Sequence, residues 1–272
     1  MKREREGSKR QRFIKKSRES VQESLRSRDM VLSGVTKTID ETQRVINQLT
    51  ERFEAWYDVY FPELKIEERK QYVEVAIYLD RDNINIDGLA SVAGRKKAEA
   101  IANVATKTLG AQLNKKDIEE IKLLGKRIIT LYTLVEELEQ YQKELAEEIA
   151  PNISDLAGSD IAAKLIAHAG SLDRLAKMPS STVQVIGAEK ALFKHLKNKR
   201  IAPPKHGIIF QYAKISNSPK RVRGKIARAF ANKIAIAAKA DAFTKNSISA
   251  QLKKDFEERF QEIMEEDKKV KE

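Results

Sequence analysis

The chain has 272 residues, with 52 Lys or Arg against 40 Asp or Glu, a formal net charge of +12 and no cysteine. The lack of cysteine excludes a disulfide framework, a thiolate metal site and a cysteine nucleophile, and favours a reducing compartment or a hot one where thiols are a liability. With 34% charged and 6% aromatic residues, the composition points to long solvated helices around one or two modest cores rather than to one compact globule.

Residues 1–28 hold eleven basic and four acidic side chains and no strand pattern, and read as a basic linker or helix extension. No apolar signal segment follows them, and no later apolar run approaches the roughly 20 residues that span a bilayer. A soluble intracellular protein without a membrane partner is expected.

A coiled-coil domain is predicted over residues 29–150. Leu32, Val35, Ile39, Thr42, Ile46, Leu49, Phe53, Trp56 and Tyr60 recur at alternating steps of three and four, the spacing of a helix whose seam packs on another helix, and Pro62 ends it. The register reaches back through Ile14, Val21 and Leu25, interrupted by Arg18 and Arg28. A second series, Ile121, Leu124, Ile128, Leu131, Val135, Leu138, Gln142, Leu145 and Ile149, repeats the pattern up to Pro151. Two helices of about 30 residues, or about 45 Å, fold back most simply as an antiparallel hairpin, with two helices of an ordinary bundle as the alternative. Between them, residues 61–116 are too long for a loop. Helices are predicted at Glu67–Leu79, from Ile86, and at Arg95–Thr108. Val73, Ile77, Leu89, Ile101 and Val104 exceed what a solvated tip needs, which suggests packing against a second copy and a homodimer.

After Pro151 the pattern changes to shorter helices, predicted at Ile161–His168, Ser171–Ala176 and Thr182–Leu196, with Ser171 and Ser181 as N-caps. A longer one runs from Ser218 to about Ala242, with Arg221, Lys225, Arg228, Asn232 and Lys239 on one side and Ile226, Phe230, Ile234 and Ala237 on the other. The fold class is therefore all-α, with a second domain over 151–260 and a charged tail over 261–272.

From Lys190 to Lys245 there are fifteen Lys or Arg and one acid, Asp241, a net +14 that exceeds the charge of the whole chain. An ordinary solvated face mixes signs, so this window predicts a polyanion partner whose phosphates release counterions on contact. Catalysis finds little support. No GxxxxGK loop, no Gly-x-Gly-x-x-Gly after a strand and no strand–helix alternation is present, and Glu136-Glu137 and Glu147-Glu148 read as solvated heptad flanks. Neither an enzyme, a cofactor nor a metal site is expected, with three histidines and no cysteine.

Gly187-Ala-Glu-Lys-Ala-Leu-Phe193, Pro203-Pro-Lys-His-Gly-Ile-Ile-Phe210 and Arg223-Gly-Lys-Ile-Ala-Arg-Ala229 closely resemble the Nop domain shared by archaeal Nop5, eukaryotic Nop56 and Nop58, and the splicing factor Prp31. Ala169-Gly-Ser-Leu172, Met178-Pro179 and Trp56-Tyr57 running into Phe61-Pro-Glu-Leu64 fit the same pattern. The resemblance covers roughly Arg28 to Asp255 and is strongest to archaeal Nop5. It implies a box C/D ribonucleoprotein scaffold for RNA-guided rRNA methylation. In that family the coiled coil dimerises, the Nop domain grips kink-turn RNA with its small kink-turn-binding protein, and an N-terminal domain holds the methyltransferase fibrillarin. It also implies action in an archaeal cytoplasm or a eukaryotic nucleolus or nucleus. Prp31-like splicing or a generic basic coiled-coil RNA binder are the alternatives. The family's N-terminal α/β domain has no counterpart in residues 1–28, whether by truncation or natural loss, so fibrillarin is implied as an indirect partner. Lys194 stands where the family motif usually reads arginine, which keeps the charge but loses the planar fork.

Within that frame Lys190, Lys194, His195, Lys197, Lys205, His206, Arg221, Arg223, Lys225 and Arg228 are the candidate RNA contacts. Gly187, Ala188 and Glu189 are the candidate contacts to a protein partner, Glu189 accepting from its donors or capping the helix. Leu192 and Phe193 read as core. Six phosphate contacts from Lys190, Lys194, Lys205, Arg221, Lys225 and Arg228 would give a log–log salt slope of roughly −4 to −5.

Overall fold

The computed structural model describes residues 11–18, 28–81 and 83–269, which are helical with connecting turns and contain no strand. Residues 11–18, which include Ile14, are helical, whereas Val21 and Leu25 lie outside the described residues. The chain divides into two compact units, Thr38–Leu138 and the residues before and after that segment. Helix α1 (Arg28–Tyr57) and helix α5 (Lys115–Ile149) each contribute residues to both units.

In the Thr38–Leu138 unit, Ile39, Ile46, Phe53, Ile121, Ile128 and Val135 are buried, as the two heptad series require. A Cβ at Gly125 of α5 would fall 2.9 Å from Phe53 Cε2 and 2.8 Å from Ile77 Cγ1, so α1 and α2 (Arg69–Tyr78) meet α5 at a residue without a side chain. Trp56 departs from the expected seam. It is 44% exposed, and Tyr57 is buried in its place. A straight helix turns once every 3.6 residues, so a strict seven-residue repeat drifts off the contact line and the next residue round the helix takes over. Phe53, Tyr57, Tyr60 and Tyr72 form an aromatic cluster there, with Tyr57 stacked on Phe53 and edge-on to Tyr60 and Tyr72. The Arg81 guanidinium covers the Tyr60 ring and donates to the carbonyls of Tyr60, Gly110 and Ala111, which ties the two loops at this end together.

Helices α3 (Ile86–Ala93) and α4 (Arg95–Ala105) complete this unit. Val73 and Leu89, expected as surplus apolar surface, are buried within it, and Ile77 and Ile101 are half-buried. Val104 at 40% and Leu109 at 91% remain exposed.

In the second unit the start of α1 runs antiparallel to the end of α5, since Arg28 pairs with Glu148 and Gln142 Nε2 donates to Thr36 Oγ1. Then follow α6 (Pro151–Ala157), α7 (Ser159–Ala169), α8 (Leu172–Lys177), α9 (Ser180–Val185), α10 (Glu189–Lys197), a 3-10 turn (Ile208–Gln211), α11 (Ala213–Ser216), α12 (Arg223–Lys239) and α13 (Ser249–Lys269). Helix α12 is the axis of the core. Ile226, Ala227, Phe230, Ala231, Ile234, Ala237 and Ala238 are buried, and their many methyl-sized side chains let α6, α8, α9 and α13 approach closely. Phe230 stacks on Tyr212 at 4.2 Å and packs against Phe256 of α13.

Several expected boundaries shift. Ser171 caps α8 as expected, its Oγ accepting from Arg174 N–H, but Pro179 holds the N-cap of α9 and Ser181 lies inside that helix. The segment 182–196 is two helices rather than one, broken at Gly187. Helix α12 begins at Arg223 after a turn at Pro219–Val222, because Ser218 Oγ bonds back to Lys214 O and closes the preceding turn. Residues 261–269, expected in a charged tail, continue α13, with Ile263 buried against the core. No described helix is long and apolar enough to cross a membrane.

Candidate nucleic-acid and protein interface

Two surfaces grow from one junction. Gly187 adopts φ +84°, in the left-handed region that disfavours other residues, and a Cβ there would meet Ile208 Cγ1 at 2.5 Å. Opposite it, a Cβ on Gly207 would come within 1.9 Å of the Ile186 carbonyl oxygen. The two glycines let the chain cross itself. Gly207 N–H donates to Gln184 O, Ile208 N–H to Ile186 O, and Gln184 Nε2 to Lys205 O. These bonds root α10 and the 198–207 loop on the end of α9.

Helix α10 leaves this root with no buried residue at all. Phe193, expected in the core, is 65% exposed, and Leu196 is 53% exposed; Leu192 is half-buried. The expectation fails because a short amphipathic helix looks the same whether its apolar side faces the core or a partner. Lys190 and Lys194, one turn apart, and Lys197 are exposed with no ion-pair partner among the described residues. His195 Nδ1 sits on the Ile201 carbonyl, which can only accept, so this ring nitrogen holds the loop.

Glu189 turns inward as well. Its Oε1 accepts from Gly187 N–H at 2.7 Å and lies 3.8 Å from His168 Nδ1. Partial burial pushes its carboxyl up, but the Gly187 N–H, its own N–H and His168 outweigh this and hold it below the usual carboxylate range. The half-exposed carboxylate thus closes the turn ahead of α10, near the positive end of the helix dipole, without capping the helix itself.

The second surface is an open groove of about 1220 Å³ between α9, the 202–205 loop, α12 and α13. It brings together Lys205, Arg221, Lys225 and Arg228, and adds Lys233, Lys239 and Arg259. Lys190, Lys194 and Lys197 do not line it. The candidates therefore form two sets rather than one stripe. Lys233 could have been found from the +14 window, and Lys239 from the helical face; Arg259 lies in a mixed-charge helix outside both and carried no signal.

Arg223 and His206 belong to neither set. Arg223 donates from Nε to Ser218 O and from Nη2 to Ser216 O, with its guanidinium 5.3 Å from the Phe210 ring centre. Two of its five N–H donors thus fix the 216–218 turn. His206 stacks on Phe210 at 4.2 Å, and burial, with Arg223 and Lys205 nearby, holds its pKa below the ordinary value.

The absence of acids that set the basic window apart is also a property of the linear sequence alone. Helix α13 supplies them in space. Arg221 is gripped by both carboxylate oxygens of Asp267, whose side chain is only 6% exposed, and Lys225 pairs with Glu266 at 3.2 Å. Lys233 pairs with Asp255 and Lys214 with Glu257. No group of three His, Cys, Asp or Glu able to hold a metal occurs among the described residues.

The Nop family, described as a snoRNA binding domain, fibrillarin, matches residues 38–262. An uncharacterized NOP5 family protein of Methanocaldococcus jannaschii is 41% identical over 239 residues, 87% of this chain and 57% of its own length. Nucleolar protein 56 of Schizosaccharomyces pombe is 36% identical, over 84% of this chain and 47% of its own. The chain thus spans about half the length of these relatives. Among solved structures, a chain of the fibrillarin/Nop5p complex superposes with a TM-score of 0.55 at 27% identity, covering 93% of this chain and 78% of that one.

Proposed function

The chain belongs to the Nop family, and from that premise we propose that it is a non-catalytic scaffold of a box C/D ribonucleoprotein, bridging kink-turn guide RNA and the small protein bound to the kink-turn. The observation that carries this reading is α10, where exposed Phe193 and Leu196 lie beside the unpaired cations Lys190, Lys194 and Lys197 on a helix that buries nothing. An exposed apolar patch seeks a protein surface, and cations bordering it seek phosphate. The groove rooted on the same junction offers a second phosphate-binding surface through Lys205, Arg228 and Lys239. The cations of both surfaces contact phosphate irrespective of base, so in this reading recognition is by RNA shape and sequence choice is left to the guide.

In this role fibrillarin, the companion of Nop5p in the superposable complex, is a partner held in the same particle, and a second copy of the chain joins through the Thr38–Leu138 unit. The site of action would be the nucleolus in a eukaryote, as the relatives' name suggests, or the cytoplasm in an archaeon.

The test is a gel-shift titration at fixed salt with kink-turn RNA, alone and preloaded with its small binding protein. The chain binds the preloaded RNA at least about tenfold tighter, and Phe193→Ser, a change at an exposed position, removes that gain while leaving binding to naked RNA intact. Equal affinity for both RNAs would replace this reading with a plain basic RNA binder.

A further inference from the structure

We propose that Asp255 and Glu266 of α13 are the selectivity-determining residues of the groove, holding Lys233 and Lys225, which a polyanion must take from them before it can use them. The proposal rests on the reading of the groove as an RNA surface. Seven cations line that groove: Lys205, Arg221, Lys225, Arg228, Lys233, Lys239 and Arg259. Four already face carboxylates of α13. Arg221 is held by Asp267, Lys225 by Glu266 at 3.2 Å, Lys233 by Asp255 at 2.7 Å, and Arg259 by Glu262 at 2.6 Å and Glu266 at 3.8 Å. Lys205, Arg228 and Lys239 have no ion-pair partner among the described residues.

The pairs differ in kind. Asp267 is buried, grips Arg221 with both oxygens and adds a bond from Nη2 to its own carbonyl at 3.1 Å. A two-oxygen grip on a buried carboxylate costs more to break than a screened surface pair. Glu266 and Asp255 have side chains 49% and 34% exposed, and solvent-screened pairs of this sort hold weakly. A phosphate can replace either carboxylate.

The exchange has a consequence for affinity. When a phosphate takes Lys225 from Glu266, the phosphate sheds condensed cations, but Glu266 is left with only its 3.8 Å contact to Arg259, repels the phosphate and recruits a cation of its own. Net counterion release from that contact is close to nil. Only Lys205, Arg228 and Lys239 give the full gain, so an RNA that engages the groove alone has a log–log salt slope of about −2 to −3. The groove thus discriminates against chance polyanions, and tight binding needs the additional surface of α10.

The test uses the full chain and a straight RNA duplex lacking a kink-turn, with affinity measured by fluorescence anisotropy over a salt series. The double variant Asp255→Asn/Glu266→Gln frees Lys233 and Lys225. It should bind the duplex several-fold more tightly at low salt, with a slope steeper by about 1.4 to 1.8, two contacts' worth. The control Glu258→Gln/Glu265→Gln adds the same charge on the same helix from exposed carboxylates that pair with no cation among the described residues, and should leave the slope unchanged. Lys225→Gln in the Glu266→Gln background should cancel that site's share. Equal slopes in parent and double variant, or an equal steepening in the control, overturn the proposal while leaving the RNA reading intact. If no protein in the set binds RNA at any salt, the RNA reading fails, and the proposal with it.

Discussion

Asp241 and Asn152, 89 residues apart, form a buried brace in which Asp241 Oδ1 accepts from both the backbone N–H of Asn152 at 3.0 Å and its side-chain Nδ2 at 2.6 Å. Asp241 Oδ2 accepts from Ile153 N–H, so a residue just after α12 caps the start of α6 from outside its own helix. Asn152 in turn holds α13, its Oδ1 accepting from Ile248 and Ser249 N–H and its Nδ2 donating to Asn246 O. Three helix ends are held by two side chains.

Asp241→Ala leaves three buried donors without their acceptor, and should lower unfolding free energy by roughly 3 kcal/mol or more. Urea unfolding followed by circular dichroism measures it. A midpoint within error of the parent would show that the brace is not what orders these helix ends.

Gly207→Ala forces a methyl group against the Ile186 carbonyl and pushes apart the bonds that root α10. It should cost about 1–3 kcal/mol, as overpacking does, and should weaken assembly on preloaded kink-turn RNA. Gly187→Ala should cost about 1–2 kcal/mol through its left-handed backbone. Assembly at the parent's affinity in a folded Gly207→Ala protein would separate the junction from the interface.

The pKa of His206 is held below its ordinary 6.5, so the folded state favours the neutral ring. The stability tied to it is full above about pH 6.5 and is lost as pH falls through the lower folded-state value, because the unfolded chain takes up the proton first. Melting temperature should therefore fall between pH 7 and pH 5, and His206→Phe, which keeps a ring against Phe210, should flatten that decline. An identical decline in both proteins would place the titration elsewhere.

The chain should be a dimer at micromolar concentration through the Thr38–Leu138 unit, which leaves Val104 and Leu109 in solvent. Val73 and Leu89 are buried inside the unit and so are not part of a surface offered to a partner. Multi-angle light scattering gives the mass directly. A monomer near 30.9 kDa across the concentration series would remove the second copy from the proposed assembly.

What the sequence determined by itself was whatever depends on neighbours along the chain. Both heptad seams were legible because burial repeats with the helical period, and Ile46, Phe53, Ile128 and Val135 lie where that period puts them. Ser171 was legible as a cap because capping spans three residues, and the Nop motifs because they are contiguous. Only the tertiary structure decided the electrostatics and the exposure of the site. Asp267 meets Arg221 from 46 residues away and Asp255 meets Lys233 from 22, so a charge count along a window sees the cations and misses the acids that face them. Phe193 has an amphipathic context that fits a core as well as a surface, and it is exposed because the crossing at Gly187 and Gly207 directs α10 away from the packed helices. Coulomb interaction and burial depend on distance in space, and the fold sets that distance independently of separation along the chain.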